Sequence, residues 1–197
     1  MLWYQITRSF AFGQIEHPTL SLINRRIPAV LAVLALVGFI LLPVRPALTG
    51  EDGLSGYAFS ITSLLPGFFI AALAAVATFQ RAELDEPMPD PSPMLEVRTG
   101  EDTSPVPLSH RVFLCHLFAY LTATSLLIIL LSVGGEIIAP SARHVVAQLD
   151  RPGIEMIVLW LLRGGYLLTL LFWFFRLVVV TLFGLYFLVE RIHRVNS

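Results

Sequence analysis

The sequence predicts an all-α polytopic membrane protein with four transmembrane helices, and three observations carry that prediction. Of its 197 residues 56% are hydrophobic and only 14% charged, whereas a soluble domain carries roughly 25% charged residues. Mean hydropathy is +0.76. Four apolar segments approach the roughly 20 helical residues that a bilayer core of about 30 Å demands.

Taken in order, residues 1–26 form an N-terminal segment with Leu2, Ile6 and Phe10 four apart and Trp3, Phe12 and Ile15 nearby. That spacing fits an amphipathic helix in the headgroup plane or a partly ordered tail packed on the bundle. Residues 27–43 are the first span, "IPAVLAVLALVGFILLP", with Pro28 suited to a first helical turn and Pro43 as its stop. No clean small-x-small cleavage site follows, so the span is expected to stay uncleaved, and "NRR" at 24–26 reads as a positive anchor. Residues 57–79 are the second span, with Pro66 inside. Gly67, Ala71 and Ala75 recur every fourth residue there, a stripe that lets another helix approach closely, within the monomer or in an oligomer.

Residues 80–110 hold six prolines and seven of the fourteen acids. Pro87, Pro89, Pro91 and Pro93 alternate with other residues, which predicts an extended chain without helix or ladder. The segment is either a solvated linker or a docking strip whose Glu83, Asp85, Glu86 and Asp90 meet a basic partner, and about thirty residues is long for a plain turn. Residues 112–133 are the third span. Residues 134–153 are expected as a loop with Ser141 capping a short surface helix. The fourth span, 154–190, is expected to break at Gly164 and Gly165, and 191–197 form a tail.

Every one of the thirteen basic residues is arginine, which points to a GC-rich bacterial genome and hence a bacterial inner membrane. Arg8, Arg25, Arg26, Arg81, Arg98, Arg111, Arg191 and Arg194 fall on one side of a four-span arrangement, and Arg45, Arg143 and Arg151 on the other. By the positive-inside rule the N- and C-termini are cytoplasmic, as is the 80–110 segment.

The stretch 166–188, "YLLTLLFWFFRLVVVTLFGLYFL", carries one charge, Arg176. Neither the residues between Arg163 and Arg176 nor those between Arg176 and Glu190 are enough for a crossing, so the fourth span must include an arginine. With Arg163 at the outer edge, Arg176 falls near the midplane, at an insertion cost of roughly 2.5–3.5 kcal/mol. No carboxylate is expected within the spans. Thr122 and Ser125 are the expected polar partners, and Phe172 and Trp173 can offer ring faces. The alternative places Arg176 in the lumen of a pore.

Net charge is −1, which calls for no nucleic-acid partner. Cys115 excludes an intrachain disulfide. His116 reads as an interfacial anchor, and no metal-ligand set, cofactor motif or enzymatic motif is present. The overall plan, together with "SLLPGFFIAALAAVATFQ" at 63–80 and the acidic, proline-rich segment after it, resembles the small membrane subunit (KwaA) of the Kiwa anti-phage defence system. The resemblance covers the chain by architecture. It implies a homo-oligomeric inner-membrane sensor that recruits a cytoplasmic, DNA-binding effector. The expected function is therefore a non-enzymatic scaffold or sensor with a cytoplasmic protein partner; the alternative is a pore-forming protein, holin-like, abortive-infection effector or anion channel.

Overall fold

The computed structural model describes residues 10–14, 21–44, 46–50, 52–79, 82–88, 93–99, 102–148 and 152–191. The chain is helical, with four helices long and apolar enough to cross a membrane: Leu22–Leu41, Leu54–Thr78, His110–Ala147 and Gly153–Val189. The first comprises a π-helical turn, Leu22–Arg26, running into α1, Ile27–Leu41, with Pro28 in its first turn. The second is divided into α2, Leu54–Thr62, and α3, Leu65–Thr78. Pro66 lies in the first turn of α3; it has no N–H for the Thr62 carbonyl, which interrupts the ladder there.

α5, His110–Ala147, starts at Ser109, whose hydroxyl accepts the Val112 N–H at 3.4 Å. It runs 38 residues, about 57 Å at the usual rise. The expected loop at 134–153 is therefore corrected: helix continues through Gly134, Pro140 and Ser141 to Ala147. Gly135 is needed in this helix for packing, because a Cβ there would overlap the Tyr166 phenol of the next helix. α6, Pro152–Tyr186, is likewise continuous. The expected break at Gly164 and Gly165 does not occur. Each glycine costs a helix only about 1 kcal/mol relative to alanine, which the apolar stripe on either side offsets.

Of the extended run expected at Pro87–Pro93, Pro89 and Pro91 lie outside the described residues; the described residues on either side fold into a cap. A short helix α4, Ala82–Asp85, precedes an antiparallel hairpin of β1, Met94–Thr99, and β2, Asp102–Pro107. Pro105 and Pro107 are tolerated because their missing N–H groups face away from β1. The Leu108 N–H, one residue on, points the other way and donates to the Pro93 carbonyl at 3.2 Å, and proline in a sheet requires such an outward position. Leu84, Met88 and Leu108 are buried and join the main apolar core. The Met88 N–H donates to the Leu108 carbonyl at 3.1 Å, and the His110 N–H to the Glu86 carbonyl at 3.3 Å.

α5 and α6 form the central antiparallel pair, with α2 and α3 packed on α5 and α1 on α6. Phe113 meets Phe187 at 5.0 Å near the cap, and the Tyr166 hydroxyl donates to the Leu131 carbonyl at 3.3 Å toward the other end. Of the N-terminal segment, residues 10–14 and 21–26 are described; the latter already belong to the first helix, and the 3-10 turn at Ala11–Gln14 is packed on the bundle. Phe12 is 1% exposed and lies 5.6 Å from Phe113 and 5.4 Å from Tyr120. Leu2, Trp3, Ile6 and Ile15 lie outside the described residues.

Candidate functional site

Arg176 lies on α6 about ten residues from both the Tyr166 and the Phe187 contacts, opposite Tyr120 of α5. The π-helical turn before α1 reaches it there. Asn24, 3% exposed, sets its side-chain oxygen between two donors: the Arg176 Nε–H at 2.7 Å and the Tyr120 hydroxyl at 3.1 Å. One amide oxygen thus joins the turn before α1, the first third of α5 and the last third of α6. Aromatic rings flank the guanidinium, and Arg176 stays half-buried. The guanidinium carbon lies 4.9 Å from the Trp173 ring centre, 5.2 Å from Tyr120 and 5.8 Å from Phe172, each close enough for the ring quadrupole to attract the cation. Phe10 in turn meets Tyr120 at 6.1 Å and Trp173 at 6.5 Å, both edge-on.

The expected hydroxyl partners are corrected. Thr122 donates to the Phe118 carbonyl and Ser125 to the Thr122 carbonyl, each at 2.8 Å, so both satisfy their own helix. Such back-bonding is the local alternative for Ser and Thr in helices, and it leaves the tertiary contact to the longer Asn and Tyr side chains. The ring faces of Phe172 and Trp173 are where the spacing placed them. Asn24 and Tyr120 were missed. Asn24 stood inside "NRR" and read as part of a charged anchor, although an arginine without a carboxylate is reason to search for a nearby amide.

Glu136 lies beyond the expected third span, 112–133, on the part of α5 that runs on past it, and it is half-buried. Its carboxylate receives the Gly50 N–H at 2.7 and 2.8 Å and the Ser55 hydroxyl. This fastens the turn between α1 and α2 onto α5. Gly50 adopts φ +108°, a conformation that favours glycine.

Arg163 is exposed and lies at the margin of two cavities, together with Arg143. In the cap, Asp85 pairs with Arg111: Nε to Oδ1 is 2.6 Å and Nη2 to Oδ2 is 3.0 Å. Arg111 also donates to the carbonyls of Val76 at 2.9 Å and Phe79 at 2.7 Å, so it joins the cap to the last turn of α3. The Arg111 hydrogen bonds hold the Asp85 carboxyl below the usual carboxylate range. Glu86 is exposed and uses its backbone carbonyl to hold His110. Glu83 lies on α4, and Asp90 lies outside the described residues. In the small-residue stripe, Gly67 and Ala71 are exposed and Ala75 half-buried. A Cβ at Gly67 would meet nothing within 4 Å, so the stripe is not a packing seam within one chain. Among the described residues no three His, Cys, Asp or Glu side chains gather as a metal site.

No family model, curated protein or solved structure matches the chain.

Proposed function

We propose that the protein is a non-enzymatic scaffold or sensor of a bacterial inner membrane, which assembles with copies of itself and holds a soluble cytoplasmic protein on its cap. The observation that carries this reading is the fastening of the cap. Residues 82–109 have a linker's composition, yet three buried side chains anchor them and Arg111 ties Asp85 to the end of α3. A linker has no need of such anchoring, whereas a surface that presents itself to a partner does. With Asp85 engaged inside the chain, the acidic contacts to that partner fall to Glu83, Glu86 and Asp90. The Kiwa resemblance adds anti-phage defence as the setting.

A pore lined by Arg176 is less well supported, because Asn24 and three rings of the same chain already surround that guanidinium. The test has two arms. Purified protein in dye-loaded vesicles should leave them sealed, both as wild type and as Arg176→Leu. In cells, photo-crosslinkers on the cap should trap a discrete soluble protein, and replacing 86–108 by a Gly-Ser linker should abolish that product while insertion persists. Leak by wild type but not by Arg176→Leu would overturn the scaffold reading in favour of the pore.

A further inference from the structure

At the end of the bundle remote from the cap, two cavities of ≈ 410 Å³ each flank the turn at 47–50. One lies between α1 and α6, against Leu36, Phe39, Trp160 and Leu167. The other lies between α5 and α6, against Leu130, Ile138, Leu159 and Leu162. Their walls are mainly apolar, and the two share four lining residues, Leu48, Thr49, Arg143 and Arg163. The arginines come from different helices, and each lines both grooves.

Neither guanidinium has a carboxylate partner among the described residues. The ion pair found there is Arg111 with Asp85, at the other end of the molecule. Glu136, the carboxylate of α5, is taken up by Gly50 and Ser55. Glu155, two turns from Arg163 on α6, pairs with neither. The result is two cations over two apolar grooves, in helices apolar enough to cross a bilayer.

We propose that Arg143 and Arg163 hold the phosphate of an anionic phospholipid whose two acyl chains lie in the two grooves. Guanidinium groups match phosphate oxygens with paired hydrogen bonds. A second cation disfavours a zwitterionic headgroup, whose ammonium it would repel. A free inorganic anion would satisfy the arginines but leave both grooves uncovered, so the lipid accounts for the whole site. The inference does not depend on the scaffold reading; it requires only that the helices sit in a membrane.

The test is native mass spectrometry of the detergent-solubilised protein with added phosphatidylglycerol or phosphatidylcholine. Wild type should retain phosphatidylglycerol in preference. With about 1 kcal/mol per arginine near a lipid surface, Arg143→Gln/Arg163→Gln should weaken that retention about 30-fold. Arg143→Lys/Arg163→Lys should keep most of it. Arg25→Gln/Arg26→Gln, which removes two exposed arginines elsewhere, should leave it unchanged. Equal retention of the two lipids by wild type would overturn the proposal whether or not any variant folds. So would wild-type retention by the folded glutamine variant, an equal loss from the Arg25/Arg26 variant, or displacement of the lipid by millimolar inorganic phosphate.

Discussion

Removing one member of the Asn24–Tyr120–Arg176 cluster leaves the other two in an apolar interior, and the member removed decides the cost. Asn24→Leu strands both the Arg176 Nε–H and the Tyr120 hydroxyl, a loss of about 1–3 kcal/mol for unsatisfied buried groups. Arg176→Leu deletes the charge itself and leaves Asn24 bonded to Tyr120. Arg176 is half-buried and pairs with no carboxylate among the described residues, so its removal leaves no buried counter-charge behind, and Arg176→Leu should stay within about 1 kcal/mol of wild type. The double variant should recover part of the Asn24→Leu loss. Unfolding in detergent followed by circular dichroism gives the cycle; a larger loss for Arg176→Leu than for Asn24→Leu would show that the cluster does not act as a clasp. A second contrast separates glycines that look alike in sequence. Gly135→Ala would push a methyl into the Tyr166 phenol, and overpacking of about 1–3 kcal/mol exceeds the helix-propensity gain of about 1 kcal/mol. It should destabilise, with partial rescue by Tyr166→Phe. Gly67→Ala faces open space and should be neutral or mildly stabilising in the monomer. The sequence made Arg176 conspicuous but not its partner, since Asn24 lies 152 positions away and meets it only when α1 packs on α6.

At the scale of elements, one charged residue at the start of α5 ties α4 to the end of α3, beside the buried anchors Leu84, Met88 and Leu108. Arg111→Gln removes the bonds to Asp85, Val76 and Phe79 together, whereas Asp85→Asn removes only the ion pair. Backbone amide exchange over 82–109 should therefore accelerate more in Arg111→Gln than in Asp85→Asn. Because the folded-state pKa of Asp85 is lowered, its contribution is fully present above the unfolded carboxyl value of about 4. It is lost as pH falls through the still lower folded value. Exchange corrected for intrinsic rates should thus show cap protection flat from neutral pH to about 5 and a modest decline below about 4; an unchanged protection at low pH would remove Asp85 from the account. The four apolar segments were legible because helix in a bilayer needs only length and hydropathy. The cap was not, because proline count argued against ladders, and the burial of Leu84, Met88 and Leu108 comes from tertiary packing that has no local period. The unbroken α5 and α6 were hidden for a related reason: glycine and proline read as stops, yet long apolar helices tolerate both where neighbours pack.

For the whole molecule, the helices form an open row with α5 and α6 in the middle. In its most apolar stretch α5 is 44% buried, against 17% for each of the two outer spans. Large apolar side chains are correspondingly exposed on each of the four long helices, among them Leu34 at 62%, Phe68 at 68%, Leu130 at 68% and Leu182 at 60%. Lipid can cover such faces, but the bare stripe of Gly67 and Ala71 offers less side chain to lipid than it offers room to another helix. The orientation expected from arginine placement puts the cap in the cytoplasm. In a Cys115→Ser background, Val106→Cys should then be labelled from the inside and Val44→Cys from the outside; the reverse pattern would invert the topology and place the proposed partner outside the cell. Assembly is tested on the stripe itself. Since a Cβ at Gly67 touches nothing in its own chain, Gly67→Leu should leave the monomer's unfolding transition in place. If α3 is the seam between copies, the same variant should shift light-scattering mass in detergent from an oligomer to the 21.9 kDa monomer. An oligomer that survives Gly67→Leu unchanged would move the seam to another face of the row, and a monomeric wild type would leave the cap to hold its partner from a single chain.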